Sequence, residues 1–122
     1  MTNPFELTAT DAIKLIGNNK LSRYEWVQSC FERIREKEDL VKAWVYLDED
    51  RALEKAKQLD NKNNKSQLGI PFGIKDIIDA SNTPTGFGTN FYQNNIPIRD
   101  AASVAVAKQS GCIFIGKTVS TE

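Results

Sequence analysis

Residues 69–79, GIPFGIKDIID, decide how the rest of this chain folds. Side chains alternate between the two faces of a β-strand, so the isoleucines and phenylalanine before Lys75 form one apolar face. Gly73 and Lys75 lie on the other face. Because glycine has no side chain, another segment can approach this second face closely, and Lys75 extends into the space beside it.

Lys75 has two interpretations from this stretch. Burial penalises an ammonium ion, and a desolvated lysine can act as a general base near neutral pH. The apolar flanks of Lys75 therefore make it a candidate catalytic residue. Alternatively, Lys75 and Asp76 end the strand and face water.

The composition is that of an ordinary globular protein, with 40% hydrophobic and 26% charged residues among 122. The 16 basic and 16 acidic residues cancel. No cationic excess is left to attract a phosphate backbone, so we expect no nucleic-acid partner. No apolar run reaches membrane-spanning length and the N-terminus lacks a secretory pattern, so we expect no membrane association and a cytoplasmic location.

The chain contains no histidine and two cysteines. It therefore lacks the histidine of Ser-His-Asp and Cys-His hydrolases and of histidine-ligated zinc sites. Cys30 and Cys112 lie in apolar segments, which predicts small core residues rather than a disulfide. Acid–base chemistry at neutral pH would fall to a lysine or a perturbed carboxylate, and the residues imply no metal or cofactor.

The first part of the chain, residues 1–66, is predicted to be a helical region with one strand. Ser22 and Glu25 have the spacing of a capping box, which predicts a helix start. The predicted elements are helices over 10–16 and 23–38, a strand over 41–47, a third helix capped by Asp48 or Asp50, and a polar loop over 60–66.

The second part, residues 67–122, is predicted to begin an α/β core. A helix from about 101 to 110, capped by Asp100 and largely buried, connects the Lys75 strand to an apolar strand at 112–115. Strand, helix and strand predict a βαβ unit with parallel strands. Lys75 and Lys117 then both lie at the carboxyl ends of strands, where α/β sheets bind ligands.

Three predicted strands with no helix after the last one leave the sheet incompletely covered. We therefore expect this chain to be the front part of a larger fold, one incomplete domain overall.

Several motifs, in order, resemble the start of an amidase signature family enzyme. GIPFGIKD at 69–76 is followed by Pro84-Thr85 and Gly88, by RDAASV at 99–104, and by GCIFIGKT at 111–118, which leads to Thr121-Glu122. The resemblance covers essentially the whole chain. It implies an α/β fold, a mixed sheet flanked by helices, of which this chain is the N-terminal portion.

The resemblance also implies a chemistry. Family members hydrolyse a carboxamide C–N bond through a Ser-cisSer-Lys triad and an acyl-enzyme. The family lysine matches Lys75, which would be the base. Both serines belong to a Gly/Ser-rich segment expected beyond Glu122, so this chain by itself is expected to be inactive. The implied partners are a small-molecule amide and either the remainder of the amidase chain or a complementary subunit.

Two positions depart from common family patterns. Val119 follows GKT where many members have asparagine, and Ile77 follows Lys-Asp where amidotransferase A subunits acting on misacylated tRNA usually have asparagine. An amidotransferase A-type subunit remains an alternative. So does a non-catalytic or split-protein module that pairs with another chain through the open sheet edge.

Overall fold

The computed structural model describes residues 2–62 and 66–121. Helices and the three strands of a small sheet follow one another along the chain. Short 3₁₀ turns lie at Pro4–Glu6 and Asn90–Tyr92. The main elements are α1 (Ala9–Gly17), α2 (Arg23–Val41), β1 (Trp44–Leu47), α3 (Glu49–Lys62), β2 (Pro71–Lys75), α4 (Ala102–Gln109) and β3 (Ile113–Thr118). The predicted loop at 60–66 is helical up to Lys62, and its residues 63–65 lie outside the described part.

The sheet has the strand order β1-β3-β2. β3 pairs in parallel with β2 and antiparallel with β1. This confirms the parallel β2–α4–β3 unit and the mixed sheet. Because β1 comes from the first predicted part of the chain and β3 from the second, one sheet joins the two parts.

α2 begins where the sequence predicts and ends later. The Ser22 hydroxyl accepts a hydrogen bond from the Glu25 N–H at 3.0 Å, and the Glu25 carboxylate accepts from the Ser22 N–H at 2.9 Å. At the other end, Lys42 adopts a left-handed conformation with φ 53°. The Glu38 carboxylate accepts from the next two backbone N–H groups, which turns the chain and starts β1 at Trp44.

Apolar side chains cover both faces of β3. The core against α2 and α3 contains Val27, Phe31, Ala52, Ala56, Leu59, Ile113 and Ile115. The core against α4 contains Ile74, Ala80 and Val104, with Phe72 and Phe114 packed on it. The predicted strand, buried on both faces, is therefore present, but it begins at Ile113 rather than at 112 and continues to Thr118.

Two predictions for α4 are wrong. Its N-cap is Ala101, without a side-chain cap, because the Asp100 carboxylate accepts instead from the Ser81 N–H at 2.7 Å and the Lys108 ammonium at 3.0 Å. Nor is α4 largely buried, since Val104 is 3% exposed but Val106 is 62% exposed. The Asp100 carboxylate accepts charge-assisted hydrogen bonds from the Ser81 N–H and the Lys108 ammonium and does not cap the helix. Only one face of α4 packs against the sheet.

Candidate functional site

Lys75 is the last residue of β2 and pairs with Thr118 of β3. Its side chain is exposed. Within the part of the chain that the structure describes, no hydrogen bond or ion pair engages its ammonium group. In this chain Lys75 thus follows the water-facing interpretation, and its role as a base stays a prediction.

The close approach expected beside Lys75 is confirmed. A Cβ atom added to Gly73 would lie 2.8 Å from Cη2 of Trp44, and one added to Gly116 would lie 3.0 Å from Cε3 of the same ring. Gly73 and Gly116 are partners in the β2–β3 register. The Trp44 indole therefore lies directly over two glycines on the face of the sheet that carries Lys75.

A cation whose burial the sequence did not predict lies at the same end of the sheet. Lys117 is 0% exposed and lies within β3 rather than after it, because the strand continues to Thr118. Its Nζ atom lies 3.2 Å from Asp76 Oδ1. It also donates to Thr85 Oγ1 at 2.9 Å and to the Pro84 carbonyl at 3.4 Å.

Asp76 uses all of its polar groups. Its carboxylate accepts from the Gly86 N–H at 3.1 and 3.2 Å, besides pairing with Lys117. Its backbone N–H donates to the Thr118 carbonyl at 3.0 Å, and its own carbonyl accepts from the Phe87 N–H at 2.9 Å. The backbone immediately after Lys75 is thereby fixed to β3 and to the loop.

The sequence pointed only indirectly to a contact between Asp76 and Lys117. Asp76 and Lys117 are charged residues at the carboxyl ends of two apolar strands predicted to be parallel neighbours. Their pairing depends on the register of β2 against β3, which contains an irregularity between Phe72 and Gly73. A one-residue change of register turns a side chain to the opposite face, so sequence spacing alone could not establish the contact.

An open cleft of about 420 Å³ lies beside this cluster. Its lining comes from β1, from the loop after β2 and from the segment after β3. The lining residues include Tyr46, Asp76, Gly86, Thr89 and Ser120. Lys75 is not among them.

The cysteines do not form an activated site. Burial raises the pKa of the Cys30 thiol and of the Cys112 thiol, which lowers the thiolate fraction at neutral pH. Both are half-buried and free of disulfides. Among the described residues, no three histidine, cysteine or acidic side chains are grouped to hold a metal ion. Within the same residues, no helix is both long and apolar enough to span a membrane.

Residues 25–122 match the family model described as Amidase. The A subunit of glutamyl-tRNA(Gln) amidotransferase from Fusobacterium nucleatum subsp. nucleatum is 36% identical over 121 residues, covering 95% of this chain and 25% of that protein. The chain thus spans about a quarter of the length of the curated relatives that it matches.

Solved structures with the same fold include a peptide amidase from Stenotrophomonas maltophilia, with a TM-score of 0.85 and 25% identity over 96% of this chain and 26% of that one. A chain of an inhibitor-bound vestigial complex, described in connection with the origins of an s-triazine catabolic enzyme, has a TM-score of 0.89 and 20% identity, covering 95% of this chain and 27% of that one. The α/β fold with a mixed sheet that the resemblance implied is therefore confirmed.

Proposed function

Because this chain belongs to the amidase family, we propose that it forms the N-terminal part of an amide C–N hydrolase in which Lys75 is the general base. The observation that carries the proposal is the position of Lys75 within the family motif. The motif at 69–76 places it at the carboxyl end of β2, with a fixed backbone and an exposed amine.

In the proposed reaction, the neutral Lys75 amine takes a proton from a bridging serine. That serine takes one from a nucleophilic serine, whose oxygen attacks the amide carbon. The C–N bond then breaks as the leaving amine receives the proton from Lys75, returned through the bridging serine, and water hydrolyses the acyl-enzyme to release the acid. In this proposal both serines come from outside this chain, and the chain contributes the base.

The proposal is tested by Lys75→Ala in the active protein that contains this chain. Release of ammonia or amine is measured over a panel of carboxamides, anilides and glutamine. We expect a loss of at least about 100-fold, the lower end for removing a positioned general base. Lys14→Ala, at an exposed lysine of α1, is the matched control and leaves the rate unchanged. Activity within tenfold of the wild type in Lys75→Ala contradicts the proposal.

The 122 residues by themselves are expected to hydrolyse no amide, because the resemblance places both triad serines in a Gly/Ser-rich segment that these residues do not include. Purified chain is incubated with the same panel, and any turnover that disappears in Lys75→Ala would overturn this expectation. The complete reaction requires the remainder of the amidase fold, as a continuation of the chain or as a complementary subunit. The proposed location of the enzyme is the cytoplasm.

A second candidate is an amidotransferase A-type subunit. It is favoured by the 36% identity over 121 residues to the A subunit of a glutamyl-tRNA(Gln) amidotransferase. Such a protein would take its amide from glutamine and work with a partner chain. Glutamine hydrolysis that depends on a co-purifying partner, with no hydrolysis of simple carboxamides, would favour this candidate. The reverse result favours an independent amidase.

A non-catalytic or split-protein module is the remaining alternative. The likeness to a chain of a vestigial protein complex is consistent with a role inside an assembly, although it shows the fold alone. Stable partner binding in the absence of hydrolysis of any amide in the panel would favour this alternative.

A further inference from the structure

Lys117 and Asp76 form an ion pair that the proposed reaction does not use. The exposed fractions of the two side chains are 0% and 8%. Burying either charge by itself is costly, so each is buried here with its counter-ion and with further hydrogen bonds. Among the described residues, every buried side-chain nitrogen or oxygen atom has a hydrogen-bond partner. The cluster is therefore a completed network.

This pair lies next to Lys75 along the chain and across the sheet. Asp76 follows Lys75 directly, and Lys117 is the register partner of Ile74, the residue before Lys75. Lys75 is thus the sequence neighbour of a buried carboxylate, and the alternation along the strand directs the exposed Lys75 side chain to the opposite face. That carboxylate already has a cation 3.2 Å away.

We propose that Lys117 is a positioning residue for Lys75: by neutralising the Asp76 carboxylate and fixing its geometry, it keeps the Lys75 amine without a carboxylate partner. This inference rests on the proposed role of Lys75 as the base. An unpaired carboxylate beside Lys75 would stabilise the ammonium form, whereas a general base needs the free amine.

The hydrogen bonds around Asp76 explain how the pair also holds the backbone. Lys117 donates to the hydroxyl of Thr85, and Asp76 accepts from the N–H of Gly86. The loop residues Thr85 and Gly86 are thereby tied to Lys117 near the end of β3 and to Asp76 directly after β2. The Lys75 side chain is thus exposed, while the backbone that carries it is held in place.

The test changes the charge of the pair while keeping its hydrogen-bonding groups. Lys117→Gln keeps donors for Asp76 and Thr85 but removes the positive charge. The readout is the rate at which the Lys75 amine is acetylated by trace acetic anhydride at pH 8, measured by peptide mass spectrometry on the complete chain. Exposed Lys14 is the internal reference.

We expect acetylation of Lys75 to slow by about fourfold or more in Lys117→Gln. This is the size of a unit-charge interaction over roughly 10 Å at an effective dielectric constant of about 40. The double variant Lys117→Gln/Asp76→Asn has no charge in the cluster, so we expect its rate to return to within about twofold of the wild type. A structural disturbance alone would not be reversed by a second substitution in the same cluster.

A second carboxylate–lysine pair in this region is the matched control. Asp100 and Lys108 are also an acidic residue and a lysine that hold a loop, with side-chain exposures of 18% and 35%. Lys108→Gln is expected to leave the acetylation rate of Lys75 unchanged. Hydrogen exchange at the Gly86 and Phe87 amides reports whether each variant keeps the loop in place. If Lys117→Gln loses this protection, Lys117→Met is measured in its place, with the same expected direction.

An unchanged Lys75 rate in the single variant, or a slow rate that persists in the double variant, would overturn the inference. Neither measurement requires turnover. If Lys75→Ala abolishes hydrolysis while the acetylation rates of Lys75 are the same in all variants, only the proposed role of Lys117 is refuted. If Lys75→Ala keeps its activity, the proposed function falls whatever the labelling shows.

Discussion

At the scale of single residues, two glycines leave the space in which β1 packs closely against the sheet. A Cβ atom at Gly116 would collide with the Tyr46 carbonyl, and one at Gly73 would lie 2.8 Å from the Trp44 ring. Since the obstacle at Gly116 is backbone, it cannot move aside as a flexible side chain would. Gly17, at the end of α1, has nothing within 4 Å of the same position.

We therefore expect Gly116→Ala to lower the free energy of unfolding by about 2 kcal/mol, within the range for overpacking. Gly17→Ala is the matched substitution in open space, and we expect it to raise that free energy by about 0.5 kcal/mol, because alanine restricts the unfolded chain. Urea unfolding followed by circular dichroism measures both. Equal effects of the two substitutions would show that Gly116 is not confined by β1.

At the scale of elements, Asp100 shows how α4 is held without a side-chain cap. Burial raises the pKa of its carboxyl, but the hydrogen bond from the Ser81 N–H and the nearby Lys108 ammonium outweigh this and lower the pKa below its usual value. A carboxyl group whose pKa is lower in the folded state contributes stability above its unfolded pKa. The contribution is lost as the pH falls through the folded pKa.

Asp100→Asn is expected to lower the free energy of unfolding by about 1 kcal/mol at pH 7, because it removes hydrogen bonds made to a charged group. The difference from the wild type should shrink at pH 3, below the ordinary carboxyl pKa of 3.8, because there the carboxyl of the unfolded chain takes up a proton more readily than the folded one, whose pKa is lower. Urea titrations at the two pH values give the comparison. A difference of the same size at both would mean that the charge of Asp100 contributes nothing.

At the scale of the whole molecule, β3 is the element on which the others depend. It is the central strand, and the first core joins it to α2 and α3 while the second joins it to α4. The N-terminal 3₁₀ turn, by contrast, has no buried residue. Loss of the central strand would leave both cores open and two strands without hydrogen-bond partners.

A chain shortened to end at Gly111 is expected to lose cooperative thermal unfolding, whereas a chain that lacks residues 1–7 keeps it. Circular dichroism melting curves and hydrogen exchange of the α2 amides measure the outcome. The backbone N–H of Phe5 in the turn at Pro4–Glu6 donates a hydrogen bond to the Ser29 hydroxyl of α2, so a modest decrease in melting temperature is expected in the second chain. Cooperative melting without β3 would show that α2 and α3 form a stable unit by themselves.

Much of the fold follows from local patterns. Apolar spacing predicted α1, α2 and α3, the capping box fixed the start of α2, and the apolar run at 112–115 predicted a strand buried on both faces. The ordered motifs predicted the family, which the match of residues 25–122 to the family model confirmed. The assignment of Lys75 comes from a motif and stays a prediction, because the groups with which it would react are not among the described residues.

The sequence by itself determined the elements and the family, because periodicity, caps and motifs act over a few neighbouring residues. Only the tertiary structure decided the strand order β1-β3-β2, the partners of Asp100, and the burial of Lys117 against Asp76 and Thr85. Lys117 and Thr85 are 32 residues apart in the chain. Such contacts depend on which strands become neighbours and in which register, and a local pattern does not encode either choice.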